Sequence, residues 1–360
     1  MNMRKYIFRY LKILSAILLL LVCAITIEFT FHRGRTPQFA NAPSSVTSLE
    51  QIRLGGVEQW VLIRGWDTTK PVLLFLHGGP GMPAMYLAHD FQRELEKDFV
   101  IVHWDRRGAG KSYASGVEGK LTVRQTLDDT YELTRLLQKR CGQKRIYLVG
   151  HSWGTYLGML AVKEHPECYA AYIGMGQMSM SPRREFELQK KFLLEKGRES
   201  GDSALIVNLQ SDSAKIREDD LFRYGAELYK ATTFWPLLFV GLCAPEYTFS
   251  DAMNLKKGVD LVNRKMVYDV IPGPLAEHVR RIDIPIFFFL GRHDYNEPSA
   301  LAAEYLDSLK CPYKRLVWFE NSAHFPFYEE PEKFRLEMIK VDADTRLFWS
   351  KSSMHGDSNM

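Results

Sequence analysis

Cysteine is sparse and scattered in this chain. Cys23, Cys141, Cys168, Cys243 and Cys311 occur without any C-x-x-C spacing, which excludes a zinc ribbon and a dense disulfide framework, and no disulfide is expected. Long basic tracts and interleaved basic and aromatic residues are also missing, so nothing points to nucleic acid as a partner. No internal repeat is visible, no metal-ligand spacing occurs and no cofactor is implied. Oligomeric state leaves no trace in the sequence. Net charge is +4, and part of it sits at the extreme N-terminus rather than on a folded face. What remains is ordinary globular material, with 46% apolar and 25% charged residues over 360 positions. That is enough for one large domain with an insertion, or for two modest ones.

Long uncharged apolar runs are rare too, with one exception. Arg4, Lys5, Arg9 and Lys12 precede the stretch Ile13 to Ile27, which ends at Glu28. This run is shorter than the roughly 20 residues a bilayer crossing needs. Lys12 can snorkel, however, and Phe29 and Phe31 extend the apolar length. A transmembrane signal anchor over residues 13–31 is therefore expected. The basic residues before it outnumber Arg33 and Arg35 after it, which predicts a cytoplasmic N-terminus (1–12) and an extracytoplasmic globule. A cleaved signal peptide has the same charge order. Its best small-x-small site, Ala40-Asn41-Ala42, lies well downstream.

Residues 32–49 are polar, with two prolines, and read as a linker. From Gln51 the alternation of apolar and polar residues around Gly55-Gly56 predicts a hairpin returning through Gln59 to Ile63. Short, continuously apolar runs then alternate with helical periodicity. Val72 to Leu76, Phe99 to Trp104, Ile146 to Val149 and Tyr169 to Met175 have strand length and suit a sheet covered on both faces. Thr122 to Arg140, opened by a capping box from Thr122 to Gln125, and Trp153 to His165 read as helices. This rhythm predicts an α/β fold with a doubly wound, mostly parallel sheet. It breaks from 177 to about 275, where helical stretches and the apolar cluster Phe234 to Leu242 replace strands. It resumes at Ile286 to Leu290 and Arg315 to Phe319, followed by a last helix from Pro331 and a disordered tail at 350–360.

The chemistry-bearing residues follow the strands. "GHSWG" (150–154) sits between a strand and a helix, the setting that holds a serine in a strained turn above the sheet edge, with Gly150 and Gly154 allowing the two elements to approach. Ser152 is the candidate nucleophile. An acyl-transfer site also needs two backbone N–H groups aimed at the oxyanion. Trp153 supplies one, and Gly79, in the His77-Gly78-Gly79-Pro80-Gly81 loop after Val72 to Leu76, supplies the other. A serine hydroxyl further requires a histidine to take its proton and an acid to orient that histidine. Asp294 follows Ile286 to Leu290, and His324 follows Arg315 to Phe319, so both belong at the same sheet edge as Ser152. Asp294 is weighed against a bland turn residue, against Asp283, which lies before its strand, and against His293. His77 is read as a brace of the oxyanion loop, and His151 as structural.

On these residues the chain from about Val57 to Ile339 resembles the α/β-hydrolase superfamily and, within it, the proline iminopeptidase branch. The carriers are HGGPG (77–81), DRRGAGKS (105–112), GHSWG (150–154), GRHD (291–294) and SAHFPFYEEP (322–331). The resemblance implies a core of 50–176 and 276–349 with a helical cap at 177–275. It implies removal of an N-terminal residue, often proline, from peptides or amides, with the free amine held by acidic cap residues. Glu246 is the candidate amine anchor. The chain departs from that branch at His151, where glycine is common, and in a cap without an alignable acidic-aromatic pattern. The expectation is a membrane-anchored serine hydrolase with an acyl-enzyme at Ser152, acting as a proline-iminopeptidase-like aminopeptidase. Two alternatives stand beside it: a carboxylesterase or lipase whose cap receives acyl chains, and a hydrolase fold used for binding without turnover.

Overall fold

The computed structural model describes residues 3–31, 34–40, 42–113, 117, 121–211, 213–266, 269, 270 and 273–356. Arg33 and Asn41, used above for the topology and the cleavage site, lie outside them. The strands are β1 (Val46–Leu54), β2 (Val57–Gly65), β3 (Val72–Leu76), β4 (Val100–Asp105), β5 (Ile146–His151), β6 (Tyr169–Met175), β7 (Ile286–Gly291) and β8 (Lys314–Phe319). Among the described residues they form one sheet in the order β1-β2-β4-β3-β5-β6-β7-β8. β1 and β2 join at an antiparallel edge, and β3 to β8 run parallel with β4.

The helices are α1 (Met3–Phe31), α2 (Ala88–Phe91), α3 (Val123–Cys141), α4 (Trp153–Glu164), α5 (Pro182–Ser200), α6 (Ser203–Gln210), α7 (Glu218–Arg223), α8 (Trp235–Cys243), α9 (Phe249–Met266), α10 (Leu275–His278), α11 (Ser299–Ser308), α12 (Pro326–Glu329) and α13 (Pro331–Gly356). The central strands are apolar throughout because helices cover both faces. Val72, Leu74 and Leu76 share a core with Leu133 and Leu137 of α3 and Leu157 of α4. Leu73 and Phe75, pointing the other way, pack with Phe91, Phe327 and Phe334. Helix α3 starts where the Thr122 hydroxyl accepts the Gln125 N–H at 3.1 Å and ends at Gly142 in the left-handed region. Only half of the expected capping box forms, because the Gln125 amide turns to Asp129 at 3.0 Å.

Helices α5 to α10 fill the stretch between β6 and β7, and no strand occurs among its described residues. This insertion has its own small core of Leu193, Leu205, Leu209, Leu221 and Ala226.

Three details differ from the sequence expectations. The apolar N-terminal helix begins at Met3, ahead of residue 13; α1 runs to Phe31 and is long and apolar enough to cross a membrane. The polar stretch read as a linker is docked, since Arg64 donates from Nη1 to Thr36 Oγ1 and to the Pro37 carbonyl, both at 2.6 Å, and β1 already starts at Val46. Helix α13 continues to Gly356, into the stretch expected to be disordered.

Candidate active site

Strand register decides which loops meet. Leu76 pairs with Gly150, His151 with Met175 and Gly291 with Phe319, so β3, β5, β7 and β8 end at one edge of the sheet. The residues that follow them are His77 to Pro80, Ser152, Asp294 and His324. Ser152, Gly78, Gly79 and His324 all line one cavity of about 950 Å³.

Ser152 stands at the strand-to-helix turn with φ 52° and ψ −128°. A non-glycine residue in such a conformation costs about 1–3 kcal/mol and persists only where its surroundings over-determine it. Those surroundings are tight. A Cβ at Gly154 would fall 2.2 Å from the Leu76 carbonyl oxygen, so no other residue lets α4 start so close to β3. The Trp153 N–H opens α4, where unpaired helix amides favour negative charge.

The loop that carries Gly79, the expected second oxyanion donor, is held by a residue that sequence reasoning left without a role. The buried Arg106 guanidinium donates from Nη2 to the carbonyls of His77 at 2.7 Å, Gly78 at 3.3 Å and Pro80 at 2.8 Å. A trans peptide sets C=O and N–H on opposite sides, so drawing the Gly78 carbonyl toward Arg106 turns the Gly79 N–H away from it. Gly79 itself has φ +106°, which an L side chain rarely adopts. Arg106 also lies 5.0 Å from the Trp153 ring centroid. Burial and the Arg106 charge hold the His77 imidazole well below its ordinary value, so His77 stays neutral beside the loop. Replacing Arg106 with methionine is expected to lower kcat about 10- to 100-fold with KM nearly unchanged. That is less than the 10²–10³ lost when an oxyanion donor is removed outright, because Arg106 acts through the loop. Arg106→Lys should recover part of the loss, since an ammonium cannot reach all three carbonyls. Steady-state kinetics that separate kcat from KM check this.

Asp294 and His324 are each 2% exposed. His324 Nδ1 donates to Asp294 Oδ2 at 2.9 Å, and the other Asp294 oxygen accepts the Glu297 N–H at 2.9 Å. Burial works to lower the His324 pKa, but the charges of Asp294 and Glu227, the Asp294 hydrogen bond and Glu297 outweigh it and hold it above the ordinary imidazole value. The alternatives to Asp294 sit elsewhere. Asp283 pairs with Arg281 at 2.8 Å on the surface, and His293 stacks on Tyr229 with centroids 3.8 Å apart. His151 donates from Nε2 to the His324 carbonyl at 2.9 Å. It therefore supports the histidine loop, and it also lines the cavity beside Ser152 instead of pointing elsewhere.

Glu246 does not line the cavity. It is buried, with Oε1 2.7 Å from His89 Nε2 of α2. The insertion does bring one buried acid to the cavity, Glu227, which sequence reasoning missed. Glu227 lines the cavity, is 6% exposed, and its Oε2 has no hydrogen-bond partner among the described residues. Burial pushes its carboxyl up to about 8, against the pull of His324. The backbone here is fixed to the loops that carry Asp294 and His324. The Glu227 carbonyl accepts the His324 N–H at 3.0 Å, and the Ala226 carbonyl accepts the Tyr295 N–H at 3.3 Å. Glu329 completes the strap by accepting the N–H groups of Tyr229 and Ala323, both at 2.7 Å. Nothing in the local pattern around Gly225-Ala226-Glu227 marks this acid, since its place depends on contacts with β7 and β8 loops far along the chain.

The profile of the alpha/beta hydrolase family matches residues 73–335. A protein named probable aminopeptidase YbaC, from Bacillus subtilis (strain 168), is 29% identical over 301 residues, covering 81% of this chain and 94% of its own length. A proline iminopeptidase of Clostridioides difficile (strain 630) is 26% identical over 284 residues, covering 78% and 92%. Among solved structures, proline iminopeptidase from Mycobacterium smegmatis aligns with a TM-score of 0.60 at 17% identity, over 83% of this chain and 99% of that one. The esterase EaEST from Exiguobacterium antarcticum aligns at 0.53 and 18% identity, over 81% and 98%. An amidase and an esterase thus share this architecture, so the fold alone does not choose between them.

Proposed function

The chain belongs to the alpha/beta hydrolase family, and from that premise we propose that it is a serine hydrolase acting as an aminopeptidase on small peptides or amides with a free N-terminal amine. In this reading Ser152 Oγ attacks the carbonyl carbon while His324 Nε2 takes its proton and Asp294 orients the ring. The N–H groups of Gly79 and Trp153 hold the oxyanion. The tetrahedral intermediate collapses to an acyl-enzyme as His324 protonates the leaving amine. The leaving amine is the shortened peptide, and water, deprotonated by the same histidine, then releases the N-terminal residue as a free acid.

The observation that carries the amine specificity is the buried, half-unpartnered Glu227 beside His324. A free α-amino group is one carbon away from the carbonyl that Ser152 attacks, so its counter-ion has to stand beside the triad. A buried carboxylate without a cation is costly, and a substrate ammonium would relieve that cost. Pairing would also offset the negative charge that raises the His324 pKa, leaving more of the imidazole unprotonated and able to accept the Ser152 proton once the correct substrate is bound. Relatives named aminopeptidase and proline iminopeptidase support the same reading.

The esterase or lipase reading keeps the mechanism and is favoured by one feature, the apolar wall of Phe222, Phe234, Trp235 and Leu238. Proline p-nitroanilide set against p-nitrophenyl acyl esters, using the full chain in detergent, separates the two. The expected result is amide turnover that requires the free amine and disappears on N-acetylation. Ester turnover without any amide turnover would sink the peptidase reading, and no turnover of either by the folded protein would leave only binding.

We further read α1 as a retained anchor with residues 1–12 cytoplasmic and the catalytic domain on the far side. The docked segment 34–40 supports retention. Thr36 is buried and serves Arg64, and cleavage after Ala42 would remove that partner. In the same reading α5 to α10 form the cap.

A further inference from the structure

The chain leaves α1 at Phe31 and is back on the globule at Gly34. The Gly34 N–H donates to the Pro245 carbonyl at 2.8 Å, and the Arg35 N–H reaches the same oxygen at 3.3 Å. A Cβ at Gly34 would stand 3.0 Å from Thr248 Cγ2, so this backbone lies directly against the turn that joins α8 to α9. Three residues of chain span at most about 11 Å, which ties the end of α1 to that turn. Helix α1 is uncharged from Ile13 to Ile27 and meets its acid at Glu28. The membrane surface on this side therefore falls near the last turn of α1, close to Pro245.

The two helices that meet at this turn present large apolar side chains to the outside. On α8, Trp235, Phe239 and Leu242 are spaced i, i+4, i+7 along one face and are 68%, 66% and 42% exposed. On α9, Phe249 and Met253 are spaced i, i+4 and are 62% and 61% exposed. Leu238 and Val259 of the same helices line the cavity beside these exposed residues. Soluble surfaces seldom leave so much contiguous apolar area in water, whereas helices lying in a membrane interface bury such a face among lipid headgroups and acyl chains. Trp235 belongs to both sides, since it lines the cavity and is largely exposed. An indole with one wet and one apolar edge suits the headgroup level.

We infer that the outer face of α8 and α9 rests on the lipid bilayer that holds α1, so that the cavity mouth at Trp235 takes amphiphilic substrates from the membrane surface. The inference builds on the reading of α1 as a retained anchor. It gives the apolar cluster a use independent of acyl binding within the cavity, and it makes the short, docked tether a positioning device rather than a flexible leash.

The test uses the full chain reconstituted into phosphatidylcholine vesicles with or without bromine on the acyl chains. Helix α1 contains no tryptophan, so quenching by brominated chains reads the globule alone. Wild type should be quenched, and Phe239→Glu combined with Met253→Glu should lose most of that quenching. Both proteins should stay in the membrane pellet after alkaline carbonate. Both should turn over a water-soluble substrate equally, since neither residue lines the cavity, and this also shows that the variant is folded. Wild type that pellets without quenching would overturn the inference and leave the anchor intact, as would equal quenching of both proteins. A cross-linked dimer joined through this face would overturn it in favour of a second copy as occupant. Release of wild type by carbonate would remove the anchor reading, and the inference with it.

Discussion

Ser152→Ala is expected to lower kcat on the order of 10⁴- to 10⁶-fold and to abolish covalent labelling by a fluorophosphonate, with the protein still folded. The size follows from the way a nucleophile, base and acid act as one unit. Losing one member leaves only the rate enhancement supplied by the oxyanion donors and by binding. The backbone makes the test sharper. Ser152 holds φ 52°, a conformation that glycine adopts without strain. Ser152→Gly should therefore gain about 1 kcal/mol of stability, the relief of strain minus the entropy glycine loses on folding, while activity is lost just as completely. A serine present only for structure would give no such opposition between stability and turnover. Thermal unfolding alongside active-site labelling reads both effects, and undiminished labelling of Ser152→Ala would place the nucleophile elsewhere.

Glu227→Gln is expected to reduce kcat/KM for substrates with a free N-terminal amine by about 10²- to 10³-fold. Removing one partner of a buried charge pair costs roughly 2–5 kcal/mol, and each 1.4 kcal/mol is about a factor of ten. Esters that lack an amine should lose little or gain. The pH profile with such an ester supplies an independent reading. His324 acts as a base only when unprotonated, so kcat/KM falls as pH drops through its pKa. Burial would lower that pKa, but the charges of Asp294 and Glu227 hold it above the ordinary imidazole value, which places the acid limb on the alkaline side of a free histidine. Taking away the Glu227 charge weakens the proton's hold, so the limb should move to lower pH in Glu227→Gln. A limb that stays in place, together with unchanged amide kinetics, would show that Glu227 neither pairs with the amine nor tunes the base.

The candidate site was legible in sequence wherever its signals are local. A run such as Val72 to Leu76 announces a buried strand by composition, and the glycines around Ser152 announce a tight turn by themselves. Asp294 and His324 came forward as candidates because each follows its own strand, and parallel strands of one sheet bring their following loops to one edge. Position along the strand carried the argument; contacts between side chains did not enter it. Arg106 and Glu227 escaped for the opposite reason. Arg106 sits in a recognisable motif, yet its role lies in carbonyls 26 to 29 residues earlier in the chain, and an arginine within "DRRG" does not reveal which carbonyls it will meet. Glu227 lies in a stretch with no periodicity and gains its place through Tyr295 and His324. Glu246 shows the converse error, since an acid in a plausible insertion was buried against His89 instead.

Local sequence signals were enough for the sheet, the family, the apolar N-terminal helix and a set of candidates for serine, acid and histidine in that order along the chain. Each of these is encoded in short-range periodicity or turn chemistry, where steric preferences act within a few residues. Only the tertiary structure decided which insertion acid faces the cavity, what braces the oxyanion loop, and that residues 34–40 are pinned to the turn between α8 and α9. Those outcomes depend on which distant surfaces come into contact when the helical insertion packs over the sheet edge. A buried polar group then takes whichever partner that packing brings within about 3 Å.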